Sequence, residues 1–413
     1  MATATTTLLV QLQTPSGDWV DVGLLRGANE TNWFESSQRY WDLPQRPILG
    51  QVFEDAGPGW KPSARVALPH WFSHLLPEGR LREAVASAAH LSAKRELSLL
   101  ERLGADDLPG ATRVLLTDEH GESVAPNDQS ESEDGDESEP LLKFSLAGLQ
   151  LKFSIHRTDR ALTIPIAGQA GNGILKLPDG RPGFGGVPEA EFAAMSLARE
   201  VGIRAPRVEL VDAKAVAGLG HWATEAPGLS FLVDRFDRTS DGRRVHAEEL
   251  AQVINIPTAR VDAKYDRANF ETIATVVAAL AGIEAVGEVI DRIVLNVLIG
   301  NGDAHLKNWG FTYDDGQLPR LSPVYDVLPT VLYMQGDDLG LNLNATKRFE
   351  AVVPASFERL GERAGYGAAR AKHRAAEAVE RIMSAWGILA DLLPREQSSA
   401  LTTRLRGLPL ARR

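Results

Sequence analysis

The segment Gln129-Ser-Glu-Ser-Glu-Asp-Gly-Asp-Glu-Ser-Glu139 contains no residue that a hydrophobic core could take in. A run of like charges without apolar side chains cannot offset the entropy of being ordered, so a solvated acidic tether is expected here. An acidic lure for a basic partner is the alternative use of such a run. The tether divides a chain of 413 residues, too long for one small core. The division expected is 1–112 for an N-terminal unit, 113–140 for the acidic flexible linker, 141–238 for a strand-rich lobe and 239–413 for a helical lobe.

Apolar residues make up 44% and charged residues 24% of the chain, the balance of an ordinary soluble globular protein. Cysteine is absent. That excludes disulfides, thiolate metal sites and a cysteine nucleophile, and it fits a reducing cytoplasm, the location expected. A net charge of -11 argues against adhesion to nucleic acid through the surface as a whole. Residues 1–10 lack a basic region followed by a long apolar stretch, so no signal peptide is expected. The longest uncharged apolar run, 272–283, is about a dozen residues where a membrane span needs ~20. No membrane partner is expected.

Residues 8–12 and 19–25 alternate apolar and polar around Pro15-Ser-Gly-Asp18, which predicts strand, turn and strand. Residues 69–77 and 81–103 have helical spacing. His70 and His74 lie four apart, a spacing that can bind metal on a helix. No HExxH pattern surrounds them, so packing or capping is the expected role. Beyond the tether, strands are predicted at 141–145, 151–156, 173–177, 208–211 and 229–236. A helix is predicted at 188–201, with Pro188 near its start and Gly202 just past its end. From Ala247 onward the pattern is almost wholly helical, with helices at 270–281, 286–300, 354–363 and 369–393. Strands followed by helices predict an α+β domain of two lobes.

The chemistry concentrates in Leu298-Ile-Gly-Asn-Gly-Asp-Ala-His-Leu-Lys-Asn308, where an apolar helix opens into a polar loop. Asp303 and Asn308 are five apart, the spacing of the Asp and Asn in a protein-kinase catalytic loop. The Asp would orient and deprotonate an attacking hydroxyl, and the Asn oxygen would help hold Mg²⁺. Lys307 would neutralise charge on the transferred phosphoryl. Read blandly, N-G and G-D are only turn dipeptides. Asp326, beyond a hairpin turn at Asp314-Asp-Gly316, stands where a kinase places its second Mg²⁺-binding acid; capping of a following helix is the alternative. Lys176 on a strand and Glu191 on the next helix can form a phosphate-gripping pair, or be a surface Lys and Glu. The loop Ser145-Leu-Ala-Gly-Leu-Gln-Leu-Lys152 can offer backbone N–H groups to phosphate oxygens. Gly168, Gly171 and Gly173 match neither GxxxxGK[ST] nor GxGxxG, and an ordinary loop is expected there.

Taken together, Ser145–Lys152, Ile174-Leu-Lys-Leu-Pro178, Asp234-Arg-Phe-Asp-Arg238, His246-Ala-Glu-Glu-Leu250, Asn301-Gly-Asp-Ala-His-Leu-Lys-Asn308 and Ser322-Pro-Val-Tyr-Asp326 resemble the HipA family. They stand in the family's order and at close to its spacing. Leu75-Leu-Pro-Glu-Gly79 is similar to a signature of the family's N-terminal subdomain. The resemblance implies a Ser/Thr protein kinase, the toxin of a bacterial toxin–antitoxin pair, using ATP and Mg²⁺. The fold implied is α+β: a two-lobed, protein-kinase-like HipA fold with a small N-terminal α+β subdomain and an all-helical C-lobe.

By match, Asp303 becomes the catalytic Asp with Lys307 beside it, Asn308 and Asp326 the Mg²⁺ ligands, and Lys176 the ATP-phosphate lysine. Ser145, Ala147, Gly148, Gln150 and Lys152 fall on the ATP-phosphate loop. Residues 233–236 become the adenine hinge, including Asp234 and Phe236, with Asp237 near the ribose; Glu191 and His305 complete the nucleotide set. Ser145 is also the position whose autophosphorylation inactivates family members. The chain departs from the family in lacking an acid within Gly148-Leu-Gln-Leu-Lys152, in Asp234 for a hinge Glu, and in Ala190 before Glu191. Implied partners are a small helix-turn-helix DNA-binding antitoxin (HipB-like) and a protein substrate among translation components, aminoacyl-tRNA synthetases included. DNA would be met only through the antitoxin. Alternative functions are a small-molecule phosphotransferase of the aminoglycoside- or choline-kinase type, whose loop Gly302–Asn308 also approaches, and a non-catalytic co-repressor.

Overall fold

The computed structural model describes residues 5–105, 107–118, 151–165, 170–260 and 262–412. The N-terminal domain is an antiparallel sheet in the order Ser63–Arg65, Thr31–Ser36, Trp19–Ala28, Thr6–Gln13, Thr112–Thr117. Period-two alternation puts Leu8, Val10 and Leu12 on one fully buried face. Helical residues Phe53, Trp71, Phe72 and Leu81, with Leu76 from the turn between two helices, cover that face, and Phe34, Phe53 and Phe72 meet at centroid distances of 4.8–6.0 Å. Strand Thr112–Thr117 pairs with Thr6–Gln13, so this sheet extends beyond the boundary expected at residue 112. A nonlocal partner across the sheet, not local pattern, makes those residues a strand. The helix expected over 81–103 is two, Gly79–Ala88 and Glu96–Leu103. His90 takes a left-handed φ of 53° and Leu91 N–H bonds back to Ala86 at 2.8 Å, which ends the first helix.

The next lobe is a sheet in the order Val216–Ala217, Leu162–Thr163, Lys152–Arg157, Gly173–Lys176, Leu229–Asp234, Val208–Asp212. Phe153, Ile155, Leu175 and Leu232 fill one face. On the other, helix Val187–Glu200 packs through Ala190, Ala194, Met195 and Leu197 onto Phe231 and Val233. This second face also carries Lys152 and Lys176, which are directly opposite in the register.

In the C-terminal lobe, helix Ala285–Ile299 runs through the middle and is buried nearly all round, as its apolar composition requires. Helices Phe270–Ala281, Glu358–Arg363, Ala368–Ser384, Gly387–Leu392 and Arg395–Gly407 surround it. The lobe is not all-helical. His246–Glu249, Gly310–Tyr313 and Arg320–Leu321 form a three-stranded antiparallel sheet. His246-Ala-Glu-Glu249 lacks strand propensity. It is extended because it pairs with the strand Gly310–Tyr313 and because its alternate residues, His246 and Glu248, enter the interface with the N-terminal domain. The helix expected over 369–393 breaks at Ala385-Trp386. Among the described residues, no helix is long and apolar enough to cross a membrane.

Candidate active site

Helix Ala285–Ile299 stops at Gly300, whose φ of 76° suits a residue without Cβ. Asn301 then locks the loop: its side chain accepts from Asp303 N–H at 3.0 Å and donates to the Asn296 side chain at 3.0 Å. Thr330 Oγ1 accepts from Gly302 N–H at 2.7 Å. The outcome is an exposed Asp303 carboxylate, its side chain 53% accessible, on an immobilised backbone. It accepts a hydrogen bond from the Tyr265 hydroxyl. Asn308 donates from its amide nitrogen to Asp303 O at 2.7 Å, so the amide oxygen is the end turned away from the loop.

Across the cleft stands a buried ion cluster. Lys152 and Lys176 are a cross-strand pair of like charges, which is destabilising unless anions intervene. Two do. Asp326 takes Lys152 at 3.3 Å and also pairs with Lys176, while Glu191 takes Lys176 at 2.5 Å. Burial would raise the Asp326 carboxyl, but the two ammonium groups hold it well below the usual carboxylate range. Burial works against the charged form of Lys176, yet Asp326 and Glu191 push its ammonium above the ordinary value. Lys152 is lowered, by burial first. Asp326 caps no helix: the next helical turn, Thr330–Leu332, begins after Pro329. The residue itself sits at φ 53°, an uncommon conformation outside glycine.

Both halves line one cavity of about 560 Å³, within the size range of nucleotide and drug pockets. Phe231, Val233, Ile174 and Phe236 provide apolar wall, and the Phe236 ring lies 5.5 Å from that of Tyr325. Asp326 and the Asn308 amide oxygen are hard oxygen donors of the kind Mg²⁺ takes. The paired lysines behind Asp326 are suited to phosphate oxygens. The donor set therefore fits a nucleotide phosphate with its metal.

Several expected site residues line the same cavity but have side chains engaged by other groups of the protein. Lys307 is 3% exposed on its side chain, and its ammonium is held by Glu78 at 2.7 Å and Glu249 at 3.4 Å. Its charge is thus already matched, which does not suit a free cation at a phosphoryl group. Asp237 does not offer its carboxylate to a ribose. It is consumed by Arg235 at 2.7 Å, Arg238 at 3.1 Å and Gly110 N–H at 2.7 Å. Asp234 pairs with Arg157 at 2.9 Å. His305 is buried beside Asp303 at 3.9 Å, and desolvation lowers it to about 4, so the ring is neutral. Ser145, Ala147, Gly148 and Gln150 lie outside the described residues. Among the described residues, His70 and His74 belong to no group of three or more side chains that could hold a metal. His74 is buried and neutral, lowered by burial to about 3, and donates to Ile256 O at 2.9 Å.

Sequence reasoning missed four groups that line the cavity: Glu78, Glu249, Tyr265 and Asp337. Glu78 had a signal in Leu75-Leu-Pro-Glu-Gly79, and Glu249 in His246-Ala-Glu-Glu-Leu250. Tyr265 and Asp337 carry no local motif. Burial alone would raise Glu78, but Lys307 and Lys264 hold its carboxyl well below the usual range.

Residues 18–115 match the HipA N-terminal domain family and residues 144–386 the HipA-like C-terminal domain family. A Sinorhizobium fredii protein that carries a kinase name, Y4dM, is 38% identical over 369 residues, covering 87% of each chain. Y4mE of the same organism, also named as a kinase, is 29% identical over 358 residues, 78% of this chain and 80% of its own. Among solved structures, the chain resembles one from the Shewanella oneidensis MR-1 HipA, HipB and operator DNA complex, with a TM-score of 0.71 at 17% identity over 97% of this chain and 96% of that one. At that identity the likeness speaks for the fold, the two-lobed α+β arrangement with an N-terminal domain. With two domain families matched along the chain and a relative of this identity over most of its length, the protein belongs to the HipA family.

Proposed function

We propose that the protein is an ATP- and Mg²⁺-dependent kinase that phosphorylates a serine or threonine hydroxyl on a protein, acting as the toxin of a toxin–antitoxin pair. One observation carries this reading: an accessible carboxylate on a locked loop, Asp303, faces a paired-lysine cluster, Lys152 and Lys176, across a single nucleotide-sized cavity. Lys152 and Lys176 would hold phosphate oxygens, and Glu191 keeps Lys176 oriented. Asp326 and Asn308 would hold Mg²⁺, which when bound neutralises phosphate charge and aligns the transferred group. Asp303 takes the proton of the acceptor hydroxyl as its oxygen bonds to the γ-phosphorus, and the bond to the bridging oxygen of ADP breaks. The Tyr265 hydroxyl already donates to Asp303 and marks the place an acceptor hydroxyl would occupy. Autophosphorylation at Ser145 and a small HipB-like DNA-binding partner belong to the same reading. The partner rests on the HipB present in the Shewanella complex.

Purified protein with γ-labelled ATP, Mg²⁺ and a lysate of translation components tests the proposal. Wild type is expected to label itself and a protein acceptor. Asp303→Ala should bind ATP·Mg²⁺ as wild type does while losing about 10²–10⁴-fold in turnover. Asp326→Ala should weaken Mg²⁺-dependent nucleotide binding. Turnover by Asp303→Ala at the wild-type rate would end the assignment, and labelling of aminoglycosides in preference to protein would move it to the small-molecule class.

A further inference from the structure

We propose that Glu78, supplied by the N-terminal domain, is a positioning residue of the phosphoryl-transfer site, holding the catalytic loop through Lys307 and the acceptor side through Lys264. This rests on the kinase reading above. Glu78 occupies the N-cap position of helix Gly79–Ala88, yet its side chain makes no capping bond. The carboxylate crosses the domain interface instead, one oxygen to Lys307 at 2.7 Å and the other to Lys264 at 3.4 Å.

The two lysines belong to the two walls of the acceptor site. Lys307 adjoins Asn308, and its own carbonyl accepts from the Tyr325 hydroxyl at 2.9 Å. Lys264 adjoins Tyr265, whose hydroxyl donates to Asp303 and whose ring packs edge-on against His305 at 5.0 Å. A single carboxylate thus sets the spacing between the catalytic loop and the tyrosine that lies on its acid. The arm that carries Glu78 is itself rigid. Arg82 donates to Pro77 O at 2.7 Å and pairs with Glu96 at 2.8 Å, and His74 is tied to Ile256 O at 2.9 Å.

Without the Glu78 charge, Lys307 still has Glu249 at 3.4 Å, so the fold keeps a counter-ion at that buried ammonium. The contact of Glu78 with Lys264 has no such substitute among the ion pairs of Lys264 in the described residues. Among the ion pairs of the described residues, none joins Glu78 to the proposed phosphate cluster of Lys152, Lys176, Glu191 and Asp326. Loss of Glu78 should therefore affect the chemical step rather than nucleotide binding, because small misplacements of a reacting group cost up to about a hundredfold in rate.

The experiment compares Glu78→Gln and Glu78→Asp with wild type in the full chain. It measures kcat, the KM for ATP, and backbone hydrogen exchange. Glu78→Gln is expected to lower kcat about 10- to 100-fold with the KM for ATP within about twofold. Exchange should quicken in segments 262–266 and 301–308 and stay unchanged in the strands at 173–176 and 229–234. Glu78→Asp, which keeps the charge, should recover part of the kcat. A wild-type kcat in Glu78→Gln, or a gain in exchange spread over the whole lobe, overturns the proposal. So does failure of both variants to fold, since Glu78 would then be a purely structural residue. If wild type transfers phosphate to no acceptor, the kinase reading fails, and the segment-specific exchange still decides whether Glu78 positions the loop.

Discussion

Gly302 shows how closely the loop 300–308, the proposed catalytic loop, is packed from behind. A Cβ built there would overlap the Asp337 carboxylate, and Asp337 is fixed by Thr330, which also accepts from Gly302 N–H. Burial, with Asp303 nearby, raises the Asp337 carboxyl above its ordinary value. Gly302→Ala is expected to push Asp337 aside and tilt the peptide that presents Asp303. The carboxylate is the free end of a short side chain, so the stability cost should be small, about 1 kcal/mol. The rate cost should be larger, about 10-fold or more, because the proposed function of Asp303 depends on its position. Turnover and the midpoint of urea unfolding measured on the same preparation check this. A fall in stability with full activity would show that Asp337 yields without disturbing Asp303.

At the scale of elements, the central helix Ala285–Ile299 needs help at its C-terminal end, where backbone carbonyls have no partner within the helix. Arg404, from the last long helix, donates to Val297 O and Leu298 O, both at 2.9 Å, and lies over the Phe349 ring at 4.5 Å. A cation there also complements the helix dipole. Burial lowers this arginine to about 10, which leaves it charged at neutral pH. Arg404→Met keeps the apolar stem but leaves the two carbonyls unpaired. It is expected to destabilise the protein by about 1–3 kcal/mol and to lower turnover through the loop that begins at Gly300. An unchanged denaturation midpoint would mean that water replaces the guanidinium at no cost. The helix is also tied sideways, with Asp291 holding Arg374 and Arg381 at 2.5 and 2.7 Å.

At the scale of the whole molecule, the N-terminal domain is braced against the kinase lobes at three places. Asp107 pairs with Arg235 at 2.8 Å and Arg238 at 3.1 Å, just past strand Leu229–Asp234. Glu78 reaches Lys307 in the loop 300–308. Glu248 accepts from Gln51 N–H at 3.0 Å, from Trp71 Nε1 at 3.2 Å and from the Tyr313 hydroxyl. Burial raises Glu248 from the ordinary 4.5 to about 7, with a minor push from Asp55. Between those values the folded state binds a proton that the unfolded state has released, so this group's contribution to stability falls as pH rises through the window. His74, His246 and His305 act in the opposite sense, since burial lowers them to about 3, 4 and 4. Comparison with Glu248→Gln cancels the histidine effect. The variant should be clearly less stable than wild type at pH 5, and the gap should shrink or reverse by pH 8. Parallel profiles of Tm against pH would show that Glu248 keeps an ordinary pKa in the fold.

Local pattern determined much of this protein. Alternation in residues 8–12 and 19–25 is enough to make a hairpin, because only one pleat face can be buried. The Pro188 and Gly202 signals bracket the observed helix Val187–Glu200 closely. Asp303, Asn308, Lys176 and Asp326 stood out as candidates because phosphoryl transfer would need those residue types, and the structure brings all four to one cavity; short range suffices to space the first two. What lay beyond the sequence was the set of partners. The strand His246–Glu249 forms against a segment some sixty residues later, so no window around it carries the signal. Lys307 and Asp237 have the residue types of a nucleotide site, yet other side chains have taken up their charges: the distant Glu78 and Glu249 hold Lys307, and Asp237 is held by its near neighbours Arg235 and Arg238, which the tertiary fold turns back onto it. Which buried charge meets a ligand and which meets another side chain depends on distances of a few ångströms in a medium of low dielectric, and the tertiary structure alone sets those distances.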